Sequence, residues 1–140
     1  MKKYKTGYTC GVFDMFHIGH LNILRGAKAR CERLIVGVTT DELSLSVKHK
    51  KPIIPYAERL EIVRAIRCVD EAVAQDDTDK LAAYHRLKYD CLFVGSDWRG
   101  APQWVRYEKA LAEYGVDVVY LPHTDGISST LLAEKLYEIP

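Results

Sequence analysis

No run of about 18 apolar residues occurs in the chain, so no segment reads as a membrane-spanning helix. The N-terminus, MKKYKTGYTC, has lysines without an apolar core behind them and does not read as a signal peptide. Cysteine is sparse. Cys10, Cys31, Cys68 and Cys91 show no CxxC spacing, and each sits in or beside an apolar segment. They read as reduced, buried thiols, which argues against a disulfide framework. These absences lead to the expectation of a cytoplasmic protein. An excess of one charge is lacking as well. Twenty Lys and Arg against 19 Asp and Glu leave a formal net charge of +1, too little for a broad pull toward nucleic acid or an anionic membrane. Any bound anion must therefore be held by a local cluster. There is no low-complexity tract or internal repeat, and 140 residues, 48% of them hydrophobic, suit one domain, residues 1–140.

What is present is alternation. TGYTCGVF and RLIVGVTT are short β-rich runs of the kind buried in parallel sheets. DEAVAQ, DCLFVGSD and VDVVYLP read the same way. Between them lie helical patterns: Leu21, Leu24, Ala27 and Cys31; Tyr56 to Arg67 with Leu60, Val63 and Ile66 on one side; Leu81, Tyr84 and Leu87; Trp104 to Tyr114, with Gly115 placed to cap it; and residues 128–138. DELSLSVKHKKPIIP is polar, basic and closed by Pro52 and Pro55, and reads as a loop. The alternation predicts an α/β, Rossmann-like domain with a five-stranded parallel sheet and helices on both faces. Ligands of such sheets bind beyond the carboxyl ends of the strands. Four informative segments fall there: His17 and His20 after the first strand, the basic loop after the second, Ser96-Asp97-Trp98 after the fourth, and HTDGISST after the fifth.

Two imidazoles three residues apart, with Gly19 between them, stand where a strand hands over to a helix. Three readings are open. They are metal ligands, although no HExxH or Cys/His cluster accompanies them; they are hydrogen-bonded core residues; or they belong to an anion site. For the last, the helix starting near Ile18 offers unpaired N–H groups and the positive end of its dipole. Gly19 lets a phosphate approach the backbone, and imidazoles, with a reference pKa of roughly 6.5, add donors able to meet charge as it builds.

HIGH and GISST, with the spacing between them, resemble the nucleotidyltransferase superfamily that shares its fold with class I aminoacyl-tRNA synthetases. A synthetase is disfavoured: the chain is short and not basic, and KMSKS is missing. No GxxxxGK(S/T) occurs and no GxGxxG follows the first strand, which disfavours a kinase. GVFDMFHIGH, KHKKPIIPYAERLEIVRAIRCVDE, GSDW and HTDGISST follow one another in order over about residues 7–132. Together they resemble the cytidylyltransferases, most nearly those acting on glycerol 3-phosphate.

The resemblance implies transfer of a cytidylyl group from CTP to a small phosphorylated alcohol. Phosphoethanolamine, phosphocholine, another polyol or sugar phosphate, or adenylyl transfer within the same superfamily are the alternatives. It implies Mg²⁺ carried by the CTP phosphates with no protein ligand, and a homodimer. By the same resemblance His17, His20, Lys48 and Arg67 are catalytic. Lys48 bridges the two phosphate groups, and Lys48, Lys50 and Arg59 hold the acceptor. Gly11, Val12, Phe13, Gly19, Asp97, Thr124, Gly126, Ile127, Ser128, Ser129 and Thr130 bind the nucleotide. Lys51 is a neighbour that is either part of this set or solvated. Arg59 and Arg67 lie eight residues apart, near two helical turns, so one side can present both. Hydroxyls and free N–H groups at residues 128–130 serve either as a phosphate cradle or as plain caps. Trp98 either borders the nucleotide pocket or packs in the interior, and Asp14 either orients the first loop or caps. Two departures stand out: His123 where the resembled enzymes usually carry arginine, and Val12 in place of a frequent threonine.

Overall fold

The computed structural model describes residues 3–124 and 128–138. Five strands, β1 (Tyr4–Gly11), β2 (Cys31–Thr39), β3 (Glu71–Gln75), β4 (Cys91–Gly95) and β5 (Asp117–Leu121), form one parallel sheet in the order β3-β2-β1-β4-β5. Helices α1 (Ile18–Lys28), α2 (Asp41–Lys48), α3 (Tyr56–Arg64), α4 (Lys80–Leu87), α5 (Pro102–Ala112) and α6 (Ser129–Glu138) alternate with them, and a short 3₁₀ turn, Ser96–Trp98, follows β4.

The period of two in β2 distributes its apolar side chains to both faces. Leu34, Val36 and Val38 pack with Leu24 and Ala27 of α1 and Val63 of α3. Ile35 joins Tyr8, Leu92, Ala83 of α4, and Trp104 and Leu111 of α5. Both faces are therefore covered by helices, which is why the central strands carry apolar runs instead of a polar–apolar alternation. A side chain at Gly7 of β1 has no room: a Cβ there would lie 2.5 Å from a ring carbon of Phe93 and 2.9 Å from Cys31 Sγ.

Two expectations are corrected. Residues 41–48, read as loop, form α2. Thr40 caps it, its Oγ1 accepting from Leu43 N–H at 3.1 Å, and Asp41 and Glu42 occupy the first turn where the helix dipole favours carboxylates. The next helix is shorter than predicted and ends at Arg64, so Arg59 and Arg67 do not share a helical side.

Candidate active site

A cavity of about 490 Å³ opens beyond the carboxyl ends of β1 and β4, where the strand order reverses direction. Its floor is Thr9 to Asp14, with Val94 and Gly95 alongside. Gly11, Val12 and Phe13, expected at the nucleotide, therefore line it.

The imidazole turn forms one wall. His17 is the N-cap of α1: its Nδ1 accepts from Gly19 N–H at 3.0 Å, while His17 N–H donates to His20 Nδ1 at 3.2 Å. The helix start is thus closed reciprocally by two histidines, in the manner of a capping box. Both Nδ1 atoms accept, so the ring protons reside on Nε2, and each imidazole is a neutral donor. Burial pushes His20 down to about 4, with His17 acting in the same sense and Asp14 opposing. Burial also lowers His17. Phe13 and Phe16 lie against His20, with ring centroids 5.4 and 5.3 Å away. His20 lines the cavity; His17 lies behind it, and its buried Nε2 has no hydrogen-bond partner among the described residues.

Lys48, at the last turn of α2, and Lys50 and Lys51 beyond it form the opposite, cationic wall. None of the three ammonium groups touches a carboxylate among the described residues. Ser44, buried on α2, donates from Oγ to Lys50 O at 3.2 Å and holds this segment against the helix. Asp14 reaches it from the first loop: its carboxylate accepts from Ile53 N–H at 2.8 Å and Ile54 N–H at 2.9 Å.

Arg59 does not face the cavity. It is 1% exposed, and its guanidinium donates to Ile54 O (2.8 Å), Val12 O (2.8 Å), Thr39 O (2.6 Å) and Asp41 Oδ1 (2.7 Å). The reading of Arg59 as an acceptor ligand is corrected accordingly: it ties together the first loop, the end of β2, α2 and the start of α3. Burial alone would raise the Asp41 carboxyl, but hydrogen bonds from Arg59 and Tyr56 N–H hold it below the usual carboxylate range. Arg67 is exposed, lies past the end of α3, and is not among the residues lining the cavity.

The last wall comes from β4, β5 and α6. Trp98 is 48% exposed and lines the cavity, so it faces that space instead of packing in the interior. Asp97 stands 3.6 Å from His123 Nδ1 across the two strand ends, and His123 lines the cavity. Thr124 Oγ1 accepts from Asn22 Nδ2 at 3.0 Å, which ties the fifth-strand loop to α1. Ser128 Oγ accepts from Leu131 N–H at 3.0 Å and so acts as a cap. Ser129 Oγ donates to Asp14 O at 2.6 Å, and Ser129 and Thr130 line the cavity. Gly126 and Ile127 lie outside the described residues. Gly19 N–H serves the His17 cap and does not line the cavity.

The structure thus brings together His20, Lys48, Lys50, Lys51, Ser129 and Thr130 around one space, with His17 stacked behind. Sequence reasoning missed Asn22 and Ser44, whose signals are absent without the fold, and the threefold role of Asp14. Cationic donors on one side, neutral N–H donors on the other and two helix N-termini at the rim suit a polyanion.

Comparison with known proteins points the same way. The cytidylyltransferase-like family model matches residues 8–135. The glycerol-3-phosphate cytidylyltransferase of Bacillus spizizenii is 36% identical over 129 residues, covering 91% of this chain and 94% of that one. That of Staphylococcus aureus is 32% identical over 136 residues, with 92% of each covered. The bifunctional protein HldE of Geobacter metallireducens is 32% identical, but this chain spans only 27% of its length. In structure, a lipopolysaccharide core biosynthesis protein of Thermoplasma volcanium superimposes with a TM-score of 0.72 at 22% identity, over 89% of this chain and 99% of that one, which bears on the fold alone. Fold, cavity and sequence likeness agree that the chain is a nucleotidyltransferase and belongs to the cytidylyltransferase-like family.

Proposed function

We propose that the chain transfers a cytidylyl group from CTP to glycerol 3-phosphate, giving a CDP-linked alcohol and pyrophosphate. The observation that carries this reading is the convergence of His20, the lysine wall and Ser129–Thr130 on one cavity at the strand-order reversal. The glycerol-3-phosphate cytidylyltransferases that align over nearly their whole length supply the choice of substrates.

The chemistry needs few side chains. A phosphomonoester, with a second pKa of about 6, is already a dianion near neutral pH and requires no general base. One of its oxygens attacks the α-phosphorus of CTP; the bond from that phosphorus to the bridging oxygen breaks, and pyrophosphate departs with the electron pair. The difficulty lies in bringing two anions into line and stabilising the crowded phosphorus. Lys48 and Lys50 offset the repulsion between the phosphates. His20, with His17 stacked behind it, donates a neutral Nε2–H where charge accumulates, and Ser129 and Thr130 cradle the triphosphate at the start of α6. Trp98 offers a flat apolar surface to the nucleoside.

Magnesium carried in on the CTP phosphates would supply further charge neutralisation. The cavity fits an ion delivered in this way. Its carboxylate, Asp14, is engaged by the Ile53 and Ile54 N–H groups, and neighbouring Asp97 lies beside His123. The same reading includes a homodimer acting in the cytoplasm; sedimentation velocity checks the assembly.

The deciding experiment measures pyrophosphate release with CTP or ATP across glycerol 3-phosphate, phosphoethanolamine, phosphocholine and a sugar phosphate. Turnover should be highest with CTP and glycerol 3-phosphate. A preference for ATP, or for a different acceptor, would replace this reading with that branch of the family.

A further inference from the structure

We infer that Asp14 is a positioning residue that sets the lysine wall in register with the imidazole turn, an inference that rests on the proposed nucleotidyl transfer for its kinetic consequences. Asp14 sits between two non-glycine residues in the left-handed region, Phe13 at φ 54° and Met15 at φ 48°. That conformation is disfavoured for L side chains and persists where surrounding contacts over-determine it. Those contacts are the two backbone N–H groups that reach the Asp14 carboxylate from Ile53 and Ile54, and the Ser129 hydroxyl that donates to its carbonyl. One strained turn therefore joins three cavity walls, from segments 40 and 115 residues away in sequence.

A carboxylate lining an otherwise cationic cavity opposes the binding of phosphates by simple Coulomb repulsion. Its two short N–H bonds give the reason for its presence: they hold the stretch between Lys51 and Ile54, whose flanks are fixed separately. Ser44 holds Lys50, and Arg59 with Asp41 pins Ile54 and the starts of α2 and α3. Removing the carboxylate leaves those anchors in place and releases the stretch between them, which carries Lys51 and begins at the Lys50–Lys51 bond.

Two measurements test this on the full-length protein carrying Asp14→Asn and, separately, Asp14→Ala. An amide presents one acceptor oxygen and a competing NH₂ group to two N–H donors. Limited trypsinolysis should then cut after Lys50 about tenfold faster than in the wild type, while the rest of the chain, Lys48 in α2 included, stays resistant. In the kinetic arm, Asp14→Asn should lower kcat/KM by about 10²-fold in the wild-type background. In a Lys50→Met, Lys51→Met background the same substitution should cost much less, because a residue that acts through these two lysines has nothing left to position. Unchanged cleavage after Lys50, cleavage spread along the whole chain, or an equal loss in both backgrounds would overturn the inference. If the wild type fails to turn over CTP, the proposed function fails, and the cleavage pattern still decides the role of Asp14.

Discussion

The rings of His17 and His20 stack with centroids 3.8 Å apart and planes 20° from parallel, and each presents Nδ1 to a backbone N–H. Two charged imidazoles would repel at this distance, and burial opposes charging either. The imidazoles are expected from the sequence to be donors able to meet charge as it builds, and the geometry specifies what kind of donors they are. They are fixed, neutral donors whose tautomer the helix start dictates, so under the proposed function their contribution is that of preorganised dipoles.

Stability should reflect this. His20 titrates near 4 in the folded chain against about 6.5 when unfolded. Between those values the unfolded chain binds the extra proton, so stability rises with pH across that window and is lost as pH falls through it. The shift corresponds to roughly 2–3 kcal/mol once solvent screening at the partly exposed ring is allowed for. Urea unfolding of the wild type and His20→Gln at pH 7 and 5 checks it: the variant should show the smaller decline. Loss from Asp41 and Asp70, whose carboxyls lie below their usual value, falls below that window.

Substitution at His17 should separate its two roles. His17→Ala removes both the cap and the donor, and should cost about 1 kcal/mol of stability and about 10²–10³ in kcat. Asparagine is a good N-cap, so His17→Asn should recover most of the stability and little of the turnover. Equal turnover in His17→Asn and the wild type would remove His17 from the chemistry.

Arg59→Met should unfold easily. It leaves the Asp41 carboxylate without its buried partner and three carbonyls without donors, a loss of about 3–5 kcal/mol. A ligand-binding arginine would instead raise the KM of the acceptor and leave the melting temperature in place. Differential scanning calorimetry beside acceptor titrations tells the two apart.

The sheet and its rim were legible because β-branched runs alternating with helical periods admit few arrangements, and the carboxyl-edge rule then places His20, the lysines and Ser129–Thr130 together. Helix α2 was not, because its pattern is inverted: it buries Ser44 and exposes Leu45 and Val47. Its start signal, Thr40 followed by Asp41 and Glu42, was present but outweighed by the basic, proline-closed stretch behind it. Arg59 defeated the reading for another reason. An arginine that binds a ligand and one that binds carbonyls look alike in one dimension, and Val12 and Thr39 are 47 and 20 residues away. Conversely, Trp98 had two readings that only its exposure separates.

The guanidinium knot at Arg59 also bears on engineering. Grafting residues 49–55 from a relative to change acceptor preference would import a segment whose backbone leans on Asp14 and on Arg59, the latter braced by Asp41. These residues form an inheritance unit. Chimeras that exchange the segment and keep all three should fold, whereas those that break the set should fail in expression before selectivity is ever measured.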